Sequence, residues 1–268
     1  MSDAEFAELY LTKLRELGDE ERFDITFRIE SGHTGLPRAS KLGSCARAQL
    51  HSLLGLSVTD KGNPAYAWSA MMGYAGQEII LEVLRRMGYT VNTDVDLEQD
   101  TSSGHLDAEI TGLDLGDEVV VVDCKVRNVY AAKQWVREGL DLDTQLQMQR
   151  YMRGRGRQRA LIVMAPHDYS TWRLETTKYK LDVASAVVQR FWVQGDAAMQ
   201  QLVDDRASAL LTAKALGLKV YREFDPTSKA DARFPCGFCE TRTHCFQDDL
   251  DIAANPESVL LVPQIPIP

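Results

Sequence analysis

The stretch "EVVVVDCKV", Glu118 to Val126, joins a run of four valines to an acid, a cysteine and a lysine. Valines in series are typical of a strand that is buried on both faces. Successive side chains on a strand point to opposite faces, so Asp123 and Lys125 share one face and Cys124 points to the other. A carboxylate and an ammonium at the end of an apolar strand are costly to bury unless they are paired or used. Taken alone, the stretch favours an ordinary salt bridge, with a catalytic pair as the alternative.

Composition and charge are those of an ordinary globular protein. Of the 268 residues, 44% are hydrophobic and 26% are charged. No apolar run approaches the ~20 residues that span a bilayer. The beginning, "MSDAEFAELYLTKLREL", predicts an acidic amphipathic helix and not a signal peptide. We therefore expect a cytoplasmic protein without a membrane partner, whose cysteines stay reduced. A net charge of −9 argues against non-specific coating of nucleic acid, but not against an enzyme that holds it locally.

Hydrophobic periodicity predicts an α/β protein. Helices are predicted at 6–17, 71–88, 141–152, 181–194 and 196–216, and strands at 89–97, 105–111, 118–126, 159–166 and near 171–176. This order predicts a mixed central sheet flanked by helices, and the sequence has no internal repeat. The proline-rich end of the chain, 254–268, predicts an extended segment packed on the surface, with a partner-binding peptide as the alternative.

A second carboxylate precedes the valine strand. The segment "SGHLDAEI" places Asp107 in the neighbouring strand, and the short turn 112–117 joins the two. Asp107 is therefore expected near Asp123, and two adjacent carboxylates are stable only around a cation. Oxygen ligands favour Mg²⁺ or Mn²⁺, and Lys125 beside the ion could polarise a phosphate or orient the attacking water. This combination is the chemistry of metal-assisted phosphodiester hydrolysis.

The helix predicted at 141–152 carries Gln147 and Tyr151, four residues apart and therefore on one face. Glutamines on helices are usually only solvated, so this spacing alone is a weak signal.

Cysteine spacing is the sharpest feature of the sequence. The segment "PCGFCETRTHC" places Cys236, Cys239 and Cys245 close together, and a tetrahedral site needs a fourth ligand. Cys45 is the natural candidate, far back in the chain, whereas Cys124 is expected in the core. A structural zinc site, with His244 as a possible ligand, is the alternative.

These motifs together resemble the RecB-like branch of the PD-(D/E)XK nuclease superfamily, in particular the CRISPR-associated iron–sulfur exonucleases and their phage relatives. The resemblance spans residues 45 to 245 in the family's order. It rests on "SCAR" with Cys45, "GHLD" with Asp107, "DCK" with Asp123 and Lys125, Gln147 with Tyr151, and the trio Cys236, Cys239 and Cys245.

The resemblance implies a restriction-endonuclease-like core at about 65–180 within a single nuclease domain. It also implies a [4Fe–4S] cluster that joins segments around 40–60 and 230–250, since four thiolates are its standard ligand set. The implied activity is metal-dependent hydrolysis of DNA, often at single-stranded ends. The implied catalytic residues are Asp107, Asp123, Lys125, Gln147 and Tyr151, and the carbonyl of Cys124 would help to bind the ion.

The sequence departs from the family at its first motif, which usually has a histidine or glutamate after a glycine. Here "GYAGQEII" has Gln77 at that place, followed by Glu78. On a helical wheel Gln77 borders the apolar face, whereas Glu78 points nearly away from it. Geometry favours Gln77 and ligand chemistry favours Glu78, so both remain candidate metal ligands.

Two classes of function follow. The first is an active exonuclease, in which Arg150, Arg153, Arg155 and Arg157 of "RYMRGRGRQR" contact the DNA backbone; a solvated turn is the alternative for these arginines. The second is a weakly active or inactive nuclease-fold module. It would bind DNA ends or assemble with recombination or CRISPR-adaptation proteins.

Overall fold

The structure, a computed structural model, describes residues 1–20, 35–56, 64–93, 95–99, 101–166, 188–224, 239 and 241–265. Its helices are α1 (Asp3–Gly18), α2 (Ala46–Leu53), α3 (Pro64–Met87), α4 (Val129–Glu138), α5 (Leu142–Arg155), α6 (Ala197–Leu216) and α7 (Arg242–Ala254). Its strands are β1 (Thr90–Asn92), β2 (Val95–Gln99), β3 (Ser102–Leu106), β4 (Ala108–Thr111), β5 (Val120–Arg127), β6 (Arg159–Pro166), β7 (Gln189–Gln194), β8 (Lys219–Val220) and β9 (Val259–Leu260). Short 3-10 turns cover Ala39–Lys41, Leu113–Leu115 and Pro256–Ser258.

A mixed five-stranded sheet forms the centre of the fold, in the order β1-β4-β5-β6-β7. The β5 and β6 strands are parallel, with Asp123 opposite Ile162, and the other neighbours are antiparallel. Helix α5 lies in the crossover between the two parallel strands, as such connections require. The predicted mixed sheet flanked by helices is therefore confirmed.

The valine strand is buried on both faces because a helical layer covers each. One core packs α1 and α3 against Val120, Val122 and Cys124. The other packs α4 and α5 against Val121 and Ile162. A third core joins α2 to α6 and β8. The two-residue period of the strand thus sends Cys124 to the face opposite Asp123.

Several predicted boundaries were wrong. The strand expected at 89–97 is two strands, β1 and β2, in different sheets, and the strand expected at 105–111 breaks at Asp107 between β3 and β4. Residues 189–194, expected in a helix, form β7, because β6 offers an open edge with which they pair. The remainder of that helix, 181–187, and the strand near 171–176 lie outside the described residues. Helices α2, α4 and α7 were not predicted.

The last described segment, 259–265, packs against the third core. Strand β9 pairs in parallel with β8, and Val262 is buried. The carbonyl of Pro263 accepts a hydrogen bond of 2.6 Å from Arg206 Nη1. None of the described helices combines the length and the hydropathy needed to cross a membrane.

Candidate active site

The site forms where the junction of β3 and β4 meets the carboxyl-terminal half of β5. Asp107 occupies that junction, and its Oδ2 accepts a hydrogen bond of 2.6 Å from the backbone N–H of Cys124. Burial raises the pKa of Asp107, and the nearby charge of Asp123 raises it further. The positive charge of Lys125 lowers this pKa but does not outweigh the other two effects. The predicted approach of Asp107 to the valine strand is therefore present.

Asp123 and Lys125 form a close ion pair on one face of β5. Lys125 Nζ lies 3.0 Å from Asp123 Oδ1 and 2.8 Å from Oδ2. The Asp123 side chain is only 3% exposed, against 22% for Lys125. Burial alone would lower the pKa of Lys125, but the charges of Asp123 and Asp107 outweigh it and raise the pKa. Lys125 therefore stays protonated beside Asp123.

One oxygen of this pair is incompletely satisfied. Asp123 Oδ2 is buried and accepts no hydrogen bond of acceptable geometry from any described residue, although Lys125 Nζ is close. The short contact is thus electrostatic attraction without a directed hydrogen bond. This buried oxygen therefore has a charged neighbour but no hydrogen-bond donor among the described residues.

Helix α5 holds the pair through Gln147. Its Nε2 donates to Asp123 Oδ1 (3.1 Å) and to the hydroxyl of Tyr151 (3.0 Å), while its Oε1 accepts from Lys125 (3.3 Å). The Tyr151 hydroxyl donates to the carbonyl of His105 at 3.2 Å. Gln147 and Tyr151 therefore connect α5 to both strands of the site.

Helix α3 approaches the site from the other face of the sheet. At Gly76 a Cβ atom would overlap Val126 Cγ2 of β5, so only glycine permits this close packing. Glu78, which the helical wheel turned away, is half-buried. Burial raises its pKa, and its charge adds to the raised pKa of Asp107. Gln77 is also half-buried, but of the two only Glu78 acts on the pKa of Asp107.

Within the described ranges, no group of three or more His, Cys, Asp or Glu side chains is gathered closely enough to hold a metal ion. The available donors are nevertheless hard oxygens, which suit Mg²⁺ or Mn²⁺. The unsatisfied Asp123 Oδ2 and the neighbouring Asp107 are the atoms that fit such an ion best.

The arginines at 150–159 are largely engaged within the protein. Arg150 is 1% exposed and donates to Ser102 Oγ (2.6 Å) and Thr101 Oγ1 (2.9 Å). It also pairs with Asp204, as does Arg153, and both Arg155 and Arg157 pair with Glu109. In this arrangement the Arg150 guanidinium is inaccessible to a DNA strand, whereas the other three keep partly exposed side chains.

Two of the predicted cluster cysteines come together from distant parts of the chain. Cys45 precedes α2 and Cys245 lies in α7, and the charge of Cys45 contributes to the pKa of Cys245, which burial raises. Arg47 Nη1 lies 3.0 Å from the Cys245 carbonyl oxygen and 3.5 Å from its Sγ. Cys239 Sγ lies 3.6 Å from Thr241 Oγ1. Cys236 is outside the described residues.

Arg127 was not predicted to belong to the site, although it lies in the same strand as Asp123 and Lys125. It follows Lys125 by two residues, so the same period that pairs Asp123 with Lys125 places Arg127 on their face. Its guanidinium lies over the ring of Trp135 in α4, with its carbon 4.6 Å from the ring centroid.

No protein-family model and no curated protein matches the chain. Among solved structures, it is similar to an alkaline exonuclease (LHK-Exo) from Laribacter hongkongensis, with 14% identity, coverage of 68% of this chain and 89% of the other, and a TM-score of 0.46. For the dAMP complex of LHK-Exo, the identity is 16%, the coverage is 68% of this chain and 89% of the other, and the TM-score is 0.48. For a phage-related exonuclease from Haemophilus somnus 129PT, the identity is 13%, the coverage is 64% of this chain and 79% of the other, and the TM-score is 0.43. Similarities of this size do not assign a function to the chain.

Proposed function

We propose that the chain is a deoxyribonuclease that depends on Mg²⁺ or Mn²⁺ and hydrolyses DNA from single-stranded or free ends. One observation carries the proposal: a buried Asp123 with an unsatisfied oxygen lies beside Lys125 and near Asp107. Burial and the charge of Asp123 raise the pKa of Asp107 to about 8, and a divalent cation bound between the two side chains would favour the charged carboxylate and release its proton.

Each residue of the site has a distinct role in this proposal. Asp107 and Asp123 would hold the ion, together with the Cys124 carbonyl and either Glu78 or Gln77. When bound, the ion would polarise the phosphate and lower the pKa of the attacking water. Lys125 stabilises the charge that develops on the phosphate oxygens.

Gln147 and Tyr151 position Lys125 and do not react. Gln147 accepts from Lys125 while donating to Asp123, so it fixes the ammonium relative to the carboxylate. Tyr151 fixes Gln147 in turn and links it to His105. The partly exposed Arg153, Arg155 and Arg157 would contact the DNA backbone further along α5.

The wider setting of the proposal rests on the sequence motifs. A [4Fe–4S] cluster, or a zinc ion instead, would be bound by Cys45, Cys236, Cys239 and Cys245. The proximity of Cys45 to Cys245 and the hydrogen bond from Arg47 to Cys245 Sγ support such a site. Such a nuclease would act in recombination, repair or spacer acquisition.

Digestion of end-labelled DNA tests the activity. Anaerobically purified protein should shorten single-stranded substrate from its ends with Mg²⁺ or Mn²⁺ and should not do so with a chelator. Circular single-stranded DNA is the matched control, because it has no ends. DNA binding without cleavage under every metal condition would contradict the nuclease and favour the inactive module.

Metal analysis tests the cysteine site separately. Wild-type protein should contain iron and inorganic sulfide, and Cys45→Ser should lose most of both. Cys124→Ala is the control, since Cys124 lies in the core beside the sheet and should leave the metal content unchanged. Zinc at one equivalent would overturn the iron assignment, and equal metal in Cys45→Ser would overturn the ligand assignment.

A further inference from the structure

We propose that Arg127 binds a phosphate of the nucleic acid next to the scissile one, as a second anion site on the catalytic face of β5. The inference rests on the proposed function for the identity of the substrate. It adds a substrate class: strands with at least two successive phosphates, in preference to esters with a single phosphate.

The position of Arg127 follows from the strand. Asp123, Lys125 and Arg127 are alternate residues of β5 and therefore share one face. Neighbours on that face are ~6.6 Å apart along the strand, which is comparable with the spacing of successive phosphates in a nucleic acid. A strand whose scissile phosphate lies at Lys125 would thus bring an adjacent phosphate to Arg127.

The guanidinium of Arg127 is held in place before any substrate arrives. It stacks on Trp135, which is only 4% exposed. The indole Nε1–H of Trp135 donates to Asp141 Oδ2 at 2.9 Å, and Asp141 also caps α5 through a hydrogen bond from the Thr144 amide (2.7 Å). Stacking fixes the plane of a guanidinium and leaves its edge free for the two parallel hydrogen bonds that phosphate accepts.

The charge of Arg127 has no acidic partner among the described residues. Its Nε is buried and makes no hydrogen bond to any of them. By contrast, Arg155 and Arg157 are paired with Glu109. Asp143 lies near enough for Arg127 and Lys125 to act on its pKa, yet no ion pair forms with either. A fixed cation without an acidic partner among the described residues, beside the proposed site of phosphate hydrolysis, is suited to bind an anion.

Salt-dependent binding tests the inference without requiring turnover. Affinity for a fluorescent single-stranded oligonucleotide is measured by anisotropy, in chelator, over a range of salt concentrations. Arg127→Gln should weaken binding about 10- to 100-fold and should lower the slope of log K against log salt by ~0.7. Arg127→Lys should keep the slope and lose part of the affinity, because lysine retains the charge but not the two parallel N–H donors of the guanidinium.

Arg137→Gln is the matched control, since Arg137 is a 72% exposed arginine on α4 that pairs with Glu138. It should leave both affinity and slope unchanged. If Arg127 serves only to pack on Trp135, Arg127→Gln will lower the melting temperature and leave the salt slope at the wild-type value, which overturns the inference. Should Arg127→Gln fail to fold, Arg127→Lys with wild-type affinity would overturn it equally.

Hydrolysis of labelled oligonucleotide by the same proteins separates the two proposals. If the wild-type protein cleaves DNA but Arg127→Gln has the wild-type salt slope, the phosphate site is overturned and the nuclease proposal stands. If Arg127→Gln has a reduced salt slope but the wild-type protein does not cleave DNA, the nuclease proposal is overturned and the phosphate site stands.

Discussion

At the scale of single residues, stability alone is a poor explanation for the burial of Asp123 and Lys125. A buried ion pair is a poor source of stability, because the desolvation of both charges offsets their attraction. Here a second carboxylate, Asp107, lies close by, and its pKa is raised by burial and by Asp123. An arrangement that confines like charges costs free energy in the absence of a ligand, and such costs cluster at functional sites.

The first prediction separates the two explanations. Asp123→Asn should lower the hydrolysis rate at least ~100-fold, and Lys125→Ala about 100- to 1000-fold. Asp123→Asn should melt near the wild-type temperature, because relief of the repulsion with Asp107 offsets the lost ion pair. Lys125→Ala should be less stable, because it leaves the buried Asp123 carboxylate without its cation. Rate assays and thermal melting on the same preparations measure both effects.

Cys124→Ala is the control for this prediction. Its thiol lies in the core on the opposite face of β5, so packing should suffer while the rate stays nearly unchanged. Full activity in Asp123→Asn or Lys125→Ala would mean that the valine strand ends in an ordinary salt bridge.

At the scale of elements, segments with a strong hydrophobic pattern were predicted correctly, and the errors fell on segments whose pattern fitted more than one kind of element. "RALIVMAP" was predicted as a strand and is β6 over the same residues, since a continuous apolar run suits a strand covered on both faces. β7 was mistaken for a helix although Phe191, Trp192 and Val193 are typical strand formers. Helix α4 was missed although Asn128 caps its first turn.

In the site, likewise, contacts between neighbouring strands were predicted, whereas a contact that depends on helix packing was not. The meeting of Asp107 with the end of β5 was predicted, because a short connection between adjacent strands requires it. The placement of Glu78 was not, because it depends on how closely α3 packs against β5 at Gly76. A helical wheel describes one helix and cannot give that distance.

The second prediction tests this packing. Gly76→Ala should cost about 1–3 kcal/mol of stability, because the new Cβ overlaps Val126 and forces α3 away from β5. The same shift moves Glu78 away from Asp107, so activity should fall as well. Gly73→Ala on the same helix meets no described atom within 4 Å and should instead stabilise by about 0.5–1 kcal/mol. Urea unfolding of both variants provides the comparison, and equal effects would contradict the close approach.

The third prediction concerns the link from α5 to the strands. Tyr151→Phe removes the hydroxyl that joins Gln147 to the His105 carbonyl, which should cost ~1 kcal/mol. The rate should fall about 10-fold or more, because Gln147 no longer fixes Lys125. Tyr89→Phe removes a comparable hydrogen bond to Asp114 at the far end of the sheet and should lose stability alone. Equal rates in the two variants would show that Tyr151 acts only in folding.

At the scale of the whole molecule, buried charges join the segment that precedes α2 to the last described residues of the chain. Arg206 is fully buried and donates to Glu223, to the carbonyls of Leu42 and Ser44, and to Pro263. Glu223 in turn accepts from the backbone N–H of Ala46 at the start of α2. These bonds fix the backbone on both sides of Cys45. The segment is therefore ordered by charges that are distant in sequence and that no local pattern reveals.

Helices α2 and α7 are joined by a second set of charges, which gives the last prediction. His51 Nε2 and Lys219 Nζ lie 2.7 Å and 2.5 Å from the carboxylate of Asp248, which is 14% exposed. Burial alone would raise the pKa of Asp248, but hydrogen bonds from His51 and Lys219 outweigh it and lower the pKa to about 2. Because the folded-state pKa lies below the unfolded value of 3.8, the carboxylate stabilises the fold above that value.

This stabilisation, up to about 2 kcal/mol, should disappear as the pH falls from 3.8 towards 2. Asp248→Asn should therefore be less stable than wild type near neutral pH, and the two unfolding free energies should converge in acid. Urea unfolding at a series of pH values measures the difference. Asp251→Asn is the control, since Asp251 pairs with the same Lys219 but is 44% exposed, so its effect should be smaller. A difference between Asp248→Asn and wild type that persists unchanged into acid would mean that Asp248 stabilises the helix contact by packing and not by charge.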